Sequence, residues 1–203
     1  MEEQKKVNKQ LNIKVPPQIL SNKELSSSEK LVLALDYTLK LKKGYNIYTN
    51  VDIGKLLSLH PNNIGLCRIS LINNGYLVKD AEDKRKHLLT NKLKSVELPL
   101  INGKIDKREC IIPFEIYNHP NLTTGSKLLW GEYNTMSKTE KGYFSKRDTT
   151  SKRMNVSVGS ISNWTKELEQ YDLIEYELNS GYYTKQKFVR TKEFPREIEK
   201  PID

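Results

Sequence analysis

Apolar residues in the first third of the chain fall at helical spacing. Leu31, Leu35 and Leu39 recur every four residues, which predicts a helix of about four turns with one apolar face. Ser26, Ser27 or Ser28 can cap it, Glu29 suits the positive end of its dipole, and Gly44 ends it. Thr49 caps a second, shorter helix whose buried side is Val51, Ile53, Leu56 and Leu57. Leu59, His60 and Pro61 turn the chain into a third helix. Pro61 suits its first position, where no backbone donor is needed, and Ile64, Cys67 and Leu71 share one face. Asn74-Gly75 stops that helix. Tyr76–Val78 and Lys86–Thr90 then predict two strands around a charged loop, Ala81–Arg85. Ahead of the helices, Leu11–Val15 alternates and ends at Pro16-Pro17, as a short edge strand does.

The same pattern returns 97 positions later. Residues 15–35, VPPQILSNKELSSSEKLVLAL, align without gaps on residues 112–132, IPFEIYNHPNLTTGSKLLWGE. Pro16 meets Pro113, Ile19 meets Ile116, and Lys30-Leu31 meets Lys127-Leu128. At the same displacement Ile64 meets Ile161, Leu71 meets Leu168 and Leu77 meets Ile174. A repeat this long reads as a duplicated domain, because solenoid units run only about 20–50 residues. In the second copy Thr123-Thr124 caps a helix bearing Leu128, Leu129, Tyr133 and Met136, and Ile161, Trp164 and Leu168 point inward from a later helix. Leu173–Leu178 and Tyr182–Val189 predict strands around an Asn179-Ser180-Gly181 turn.

Three helices closed by a hairpin make a winged helix-turn-helix. The expected fold class is therefore mainly α with small β-hairpins (α+β), in two tandem winged helix-turn-helix domains. Residues 11–91 form the first domain and 109–191 the second. Residues 92–108 form a connector of some strand character, with Pro99 and Asn102-Gly103, that restricts the relative orientation of the domains. Residues 1–10 and 192–203 read as charged tails.

Composition narrows the partners. Of 203 residues, 36% are apolar and 29% charged, so the chain is globular and polar for its size. The formal charge of +9 favours a polyanion, although an AT-rich genome would also enrich Lys and Asn. Residues 1–100 hold 17 Lys and Arg against 10 Asp and Glu; the remainder holds 17 against 15. Two cysteines make no disulfide framework, and Cys67 sits in an apolar helical pattern, which suits a reduced thiol in the cytosol. With no signal-peptide segment and no long apolar run, a cytoplasmic protein without membrane contact is expected.

In a helix-turn-helix the third helix enters the major groove by its N-terminal part, so its outward residues are the candidate base contacts. These are Asn62, Asn63, Leu66 and Arg68 in the first copy, and Ser160, Ser162, Asn163 and Lys166 in the second. Asn pairs bidentately with adenine, Arg with guanine, and Leu touches the thymine methyl. Candidate backbone contacts are His60, the hairpin cations Lys84, Arg85 and Lys86, and a second-copy cluster of Lys138, Lys141, Lys146, Arg147, Lys152 and Arg153. A solvated helix face and a solvated turn are the bland alternatives for both sets. The three histidines lack ligand or triad spacing and no Gly-rich phosphate loop occurs, so no enzyme, metal or cofactor is expected.

LSSSEKLVLALDY followed by YTNVDIGKLLSLHPNNIGLCRISLINNGYLV resembles the helix-turn-helix modules of bacterial and phage regulators and replication proteins. IPFEIYNHPNLTTGSKLLW leading into VSVGSISNWTKELEQYDLIEYEL is similar to the N-terminal winged-helix domain of plasmid replication initiators. Arg68, where the pattern has an apolar residue, and Asp172, where it has Gly, depart from it. The resemblance implies duplex binding with two recognition helices on adjacent half-sites, in a transcriptional regulator or a plasmid or phage replication initiator. A second protein, or self-association on DNA, is a further expected partner. A winged-helix scaffold for protein interaction is the alternative of another class.

Overall fold

The computed structural model describes residues 11–137, 142–180 and 185–194. The first half runs β1 (Ile13–Val15), α1 (Pro17–Leu20), α2 (Ser27–Lys43), α3 (Asn50–Leu57), α4 (Pro61–Asn73), β2 (Leu77–Lys79) and β3 (His87–Leu89). A 3-10 turn, Lys92–Ser95, and a hairpin of β4 (Leu100–Ile101) and β5 (Lys104–Ile105) follow. The second half runs β6 (Cys110–Ile112), α5 (Phe114–Tyr117), α6 (Thr124–Ser137), α7 (Arg147–Met154), α8 (Val158–Gln170), β7 (Ile174–Ser180) and β8 (Lys185–Thr191). The described residues are thus α+β, with small two-stranded antiparallel sheets.

Local chemistry explains the helix boundaries. Ser26 and Glu29 form a capping box on α2: the Glu29 amide donates to Ser26 Oγ at 3.3 Å and the Ser26 amide to Glu29 Oε2 at 2.7 Å. Thr49 and Asp52 repeat the device on α3. Gly44, with φ 84°, ends α2 in the left-handed conformation that glycine adopts without steric cost. Asp172, the departure from the expected glycine, adopts that conformation too, with φ 55°, as Gly75 does with φ 72°. Asp tolerates the left-handed region better than most residues, so the chain turn survives the substitution.

The bounds of three helices coincide at the 97-residue displacement, while the second hairpin is longer than the first. Pro17–Leu20, Asn50–Leu57 and Pro61–Asn73 map onto Phe114–Tyr117, Arg147–Met154 and Val158–Gln170. The left-handed residues Ser58 and Asn155 coincide as well. Each half also has one bridge residue between its first two long helices, Asn46 pairing with His87 and Tyr143 with Val189, which adds a third member to each hairpin.

The halves are joined through their first strands. β1 pairs antiparallel with β6, Ile13 opposite Ile112 and Val15 opposite Cys110, with those four side chains buried. β1 is thereby tied to the other half. α2 packs on β1, α6 on β6, and α2 on α6. Both helices are consequently buried on every side in their middle. Lys30–Asp36 and Gly125–Tyr133 are buried without interruption, where the apolar spacing predicted a single buried face. Two lysines are caught in this layer. Lys30 Nζ donates to the Met154 carbonyl at 2.7 Å, and Lys127 Nζ donates to the Leu57 carbonyl at 2.7 Å and the Tyr117 carbonyl at 2.9 Å. Each lysine thus caps the C-terminal end of α7 or α3 in the opposite half.

The connector, expected to have some strand character, forms a small hairpin. Ile101 pairs with Lys104 across Asn102 and Gly103, whose φ of 50° and 74° make a two-residue turn matched to strand twist. At the C-terminal hairpin the expectation shifts. Asn179 and Ser180 pair with Gln186 and Lys185, so they belong to the ladder and not to its turn. The expected strand residues Tyr182 to Thr184, and the charged tails at 1–10 and 195–203, lie outside the described residues. Among the described residues no helix is long and apolar enough to cross a membrane.

One hydrophobic cluster runs from Leu11 to Val189 through both halves. Leu33→Ala, at a fully buried α2 position, is expected to lower stability by about 2–5 kcal/mol. Trp130 and Trp164 both lie in the second half, so unfolding followed by tryptophan fluorescence should shift together with far-ultraviolet circular dichroism. Two separated transitions would show that the halves unfold independently.

Candidate nucleic-acid interface

The third helix of each half presents its N-terminal part to solvent. On α4, Asn62, Asn63 and Leu66 are exposed, Leu66 at 66%, and Ile69 joins them at 58%. His60 is the α4 N-cap, its Nδ1 accepting from the Asn62 amide at 3.2 Å, so this nitrogen serves the helix end. On α8, Asn163 and Lys166 are exposed. Ser160 and Ser162 are half-buried and engaged locally, Ser160 Oγ with the Ser157 cap at 2.9 Å and Ser162 Oγ donating to the Val158 carbonyl at 3.1 Å.

Two expected contact residues are withdrawn from the surface. Arg68 is only 5% exposed: its Nη1 donates to Asn50 Oδ1 at 2.8 Å, inside the angle between α3 and α4. It therefore cannot read a base from this position. The sequence places it one residue after Cys67, on the inward side of the helix. Arg153 is 1% exposed and ion-paired with Asp106 of the connector and Glu132 of α6, so it does not meet a phosphate. Glu132 also accepts from the Tyr143 hydroxyl at 2.5 Å, and Arg108 forks onto Asp106 at 3.1 and 2.9 Å. Burial raises the Asp106 carboxyl, but Arg108 and Arg153 outweigh it and hold the group below the usual carboxylate range. Composition alone could not separate these arginines from surface cations. Arg153 follows four polar residues, and its acidic partners are distant in sequence.

The remaining cations differ in availability. Lys84 and Arg85 are exposed on the β2–β3 hairpin, but Arg85 forks onto Asp83 at 2.9 and 3.1 Å. That fork holds the Asp83 carboxyl down at about 2. Lys86 is half-buried, with Nζ 5.1 Å from the centre of the Tyr45 ring. On α7 and the residue before it, Lys146, Arg147 and Lys152 are exposed, Lys152 paired to Asp148 at 2.8 Å. Lys138 and Lys141 lie outside the described residues.

Behind α8 lies a cavity of about 140 Å³, lined by Tyr133, Tyr143, Thr150, Thr165, Tyr176 and Arg147 among others. Its hydroxyls are largely spent on one another, Tyr133 with Thr165 at 2.8 Å and Tyr143 with Thr150 at 2.9 Å. Thr165 stands 97 residues after Arg68. The sequence reading did not anticipate this cavity.

No protein-family model, no curated protein and no solved structure matches the chain.

The buried Asp36 carboxyl faces Arg68 and accepts from Asn46 Nδ2 at 2.6 Å. Burial pushes it up to about 6, against the pull of Arg68 and Asn46. A carboxyl raised in the folded state contributes stability that is full below its unfolded value of 3.8 and is lost as pH rises through about 6. Asp36→Asn removes that dependence while keeping an acceptor for Asn46. Between pH 4 and 6.5 the parent protein is expected to lose on the order of 3 kcal/mol relative to the variant. Denaturant unfolding of both proteins across this range checks it, and parallel pH profiles would refute it.

Proposed function

We propose that the chain is a sequence-specific double-stranded DNA-binding protein built from two winged helix-turn-helix domains. In this reading the domains arose by internal duplication and place α4 and α8 in the major groove over adjacent half-sites. Supporting the duplication are the coincident element bounds, the paired left-handed residues and the reciprocal lysines, all at one displacement of 97 residues. The observation that carries the function is an exposed third-helix start in each half, with side chains that differ between the halves. In each half the N-terminal part of the third helix is exposed and bears an outward Asn, Asn63 or Asn163, with exposed cations on a neighbouring element. Those cations are Lys84 on the first hairpin and Lys146 and Arg147 at the start of α7. Amide groups supply base readout and cations supply phosphate contacts, the division of labour that duplex recognition requires.

The shared core supports a role as a monomeric reader of a bipartite site, since one hydrophobic cluster and the β1–β6 ladder join the halves that carry the two helices. The biological setting is a transcriptional regulator of bacterial, phage or plasmid genes. The same fixed spacing would serve a replication initiator that marks repeated origin sequences.

Selection of bound duplexes from a randomised pool, followed by titration of the enriched and a scrambled duplex across salt, tests the reading. Asn63→Ala and Asn163→Ala should each reduce discrimination by about 1–3 kcal/mol. Lys84→Ala and Arg147→Ala should weaken both duplexes alike and lower the salt slope by about one each. A motif located at promoters points to regulation and one at an origin to initiation. No enrichment and no salt-sensitive binding would overturn DNA binding in favour of a protein-interaction scaffold.

A further inference from the structure

The two third helices present different chemistry at matched positions. Leu66 and Ile69 of α4 correspond, 97 residues on, to Asn163 and Lys166 of α8. All four are exposed. The outward stripe of α4 is thus Asn62, Asn63, Leu66 and Ile69: two amides followed by two large aliphatic side chains at helical spacing. From Asn62 to Ile69 it spans about 10 Å at 1.5 Å per residue, the length of roughly three base-pair steps. Arg68 is the sole cation on α4, and it is turned inward onto Asn50. No group on this helix is left to fork onto guanine, which shows only acceptors, O6 and N7, at its groove edge.

Resting on the DNA-binding reading above, we propose that α4 is a reader of A·T pairs and α8 a reader that accepts guanine, making the target site asymmetric. The Asn62 and Asn63 amides match the donor and acceptor edge of adenine, and Leu66 and Ile69 match the thymine C5 methyl, the apolar group of the major groove. On α8, Lys166 donates to guanine O6 or N7, and Asn163 faces adenine. The aliphatic stripe is fitted to a duplex and not to an apolar protein surface by the net positive charge of the half that carries it, exposed acids such as Asp52 and Glu82 included. Lys55 on α3, Lys79 on β2 and Lys84 on the adjoining hairpin are all exposed, and residues 1–100 hold 17 Lys and Arg against 10 Asp and Glu.

The experiment uses the full chain and the duplex enriched from a randomised pool. One part of the motif should consist of A·T pairs. Replacing its thymines by deoxyuridine removes only the methyl and keeps base pairing, and it should weaken binding about fourfold for each methyl contacted. The same replacement in the other part should have little effect. The double variant Leu66→Asn/Ile69→Lys carries the α8 residues onto α4. It should lose sensitivity to deoxyuridine and, on reselection, enrich guanine in the formerly A·T part. Both substitutions are on the surface, and circular dichroism establishes that the variant is folded. A motif with guanine in both parts, or an A·T part indifferent to deoxyuridine, would overturn this assignment and leave DNA binding intact. Failure to enrich any duplex would overturn both, and binding of an apolar protein surface would then be the reading for Leu66 and Ile69.

Discussion

Two buried ammonium groups govern how the halves of this protein meet. Lys30 and Lys127 each extend from a central helix into the opposite half and donate to backbone carbonyls at the end of α7 or α3. Taking an ammonium out of water is costly, and burial pushes both groups down to about 8. The carbonyls they meet lie at helix C-termini, where orphan acceptors and the negative end of the dipole favour a cation. Each such contact is satisfied only when both halves are docked in this geometry. The β1–β6 ladder and the apolar layer around it supply the gross attraction; the lysines specify the relative position.

That position propagates to the surface. The carbonyl ends of α3 and α7 are the points from which the chain turns into α4 and α8. At the first of these turns Gly54 lies so close to the Leu59 carbonyl that a Cβ there would meet it at 2.7 Å. Holding the ends of α3 and α7 therefore holds the starts of α4 and α8, whose exposed residues carry the proposed recognition. Charge is divided along the same lines. Arg68 and Arg153 are consumed by the interior, Arg68 bracing α4 against α3 and Arg153 tying the connector to α6 and α7. Lys84, Lys146 and Arg147 are among the cations left exposed.

Much of this was legible along the chain. The caps at Ser26 and Thr49, Pro61 at a helix start, and Gly44 and Gly75 at helix ends are local signals, and each was met, whereas Val51, expected on the buried side of α3, is 48% exposed. The Asn102-Gly103 turn was legible for the same reason. What misled were residues whose environment is made by distant segments. Leu31, Leu35 and Leu39 predicted one buried face because periodicity reports a stripe and cannot report a second helix covering the other side. Arg153 looked like one more surface cation because Asp106 and Glu132 lie far from it in sequence. Asn179-Ser180 looked like a turn, yet seven ladder pairs extend the hairpin through both residues.

The sequence by itself determined the order of the long helices and the caps and stops at Ser26, Gly44, Thr49, Pro61 and Gly75, because capping, glycine conformation and apolar spacing act within a few residues. Only the tertiary structure decided which cations reach solvent and how the halves dock. Burial and charge pairing depend on segments brought together from as far apart as Lys30 and Met154, and no local pattern records which carbonyl or carboxylate a long side chain will find.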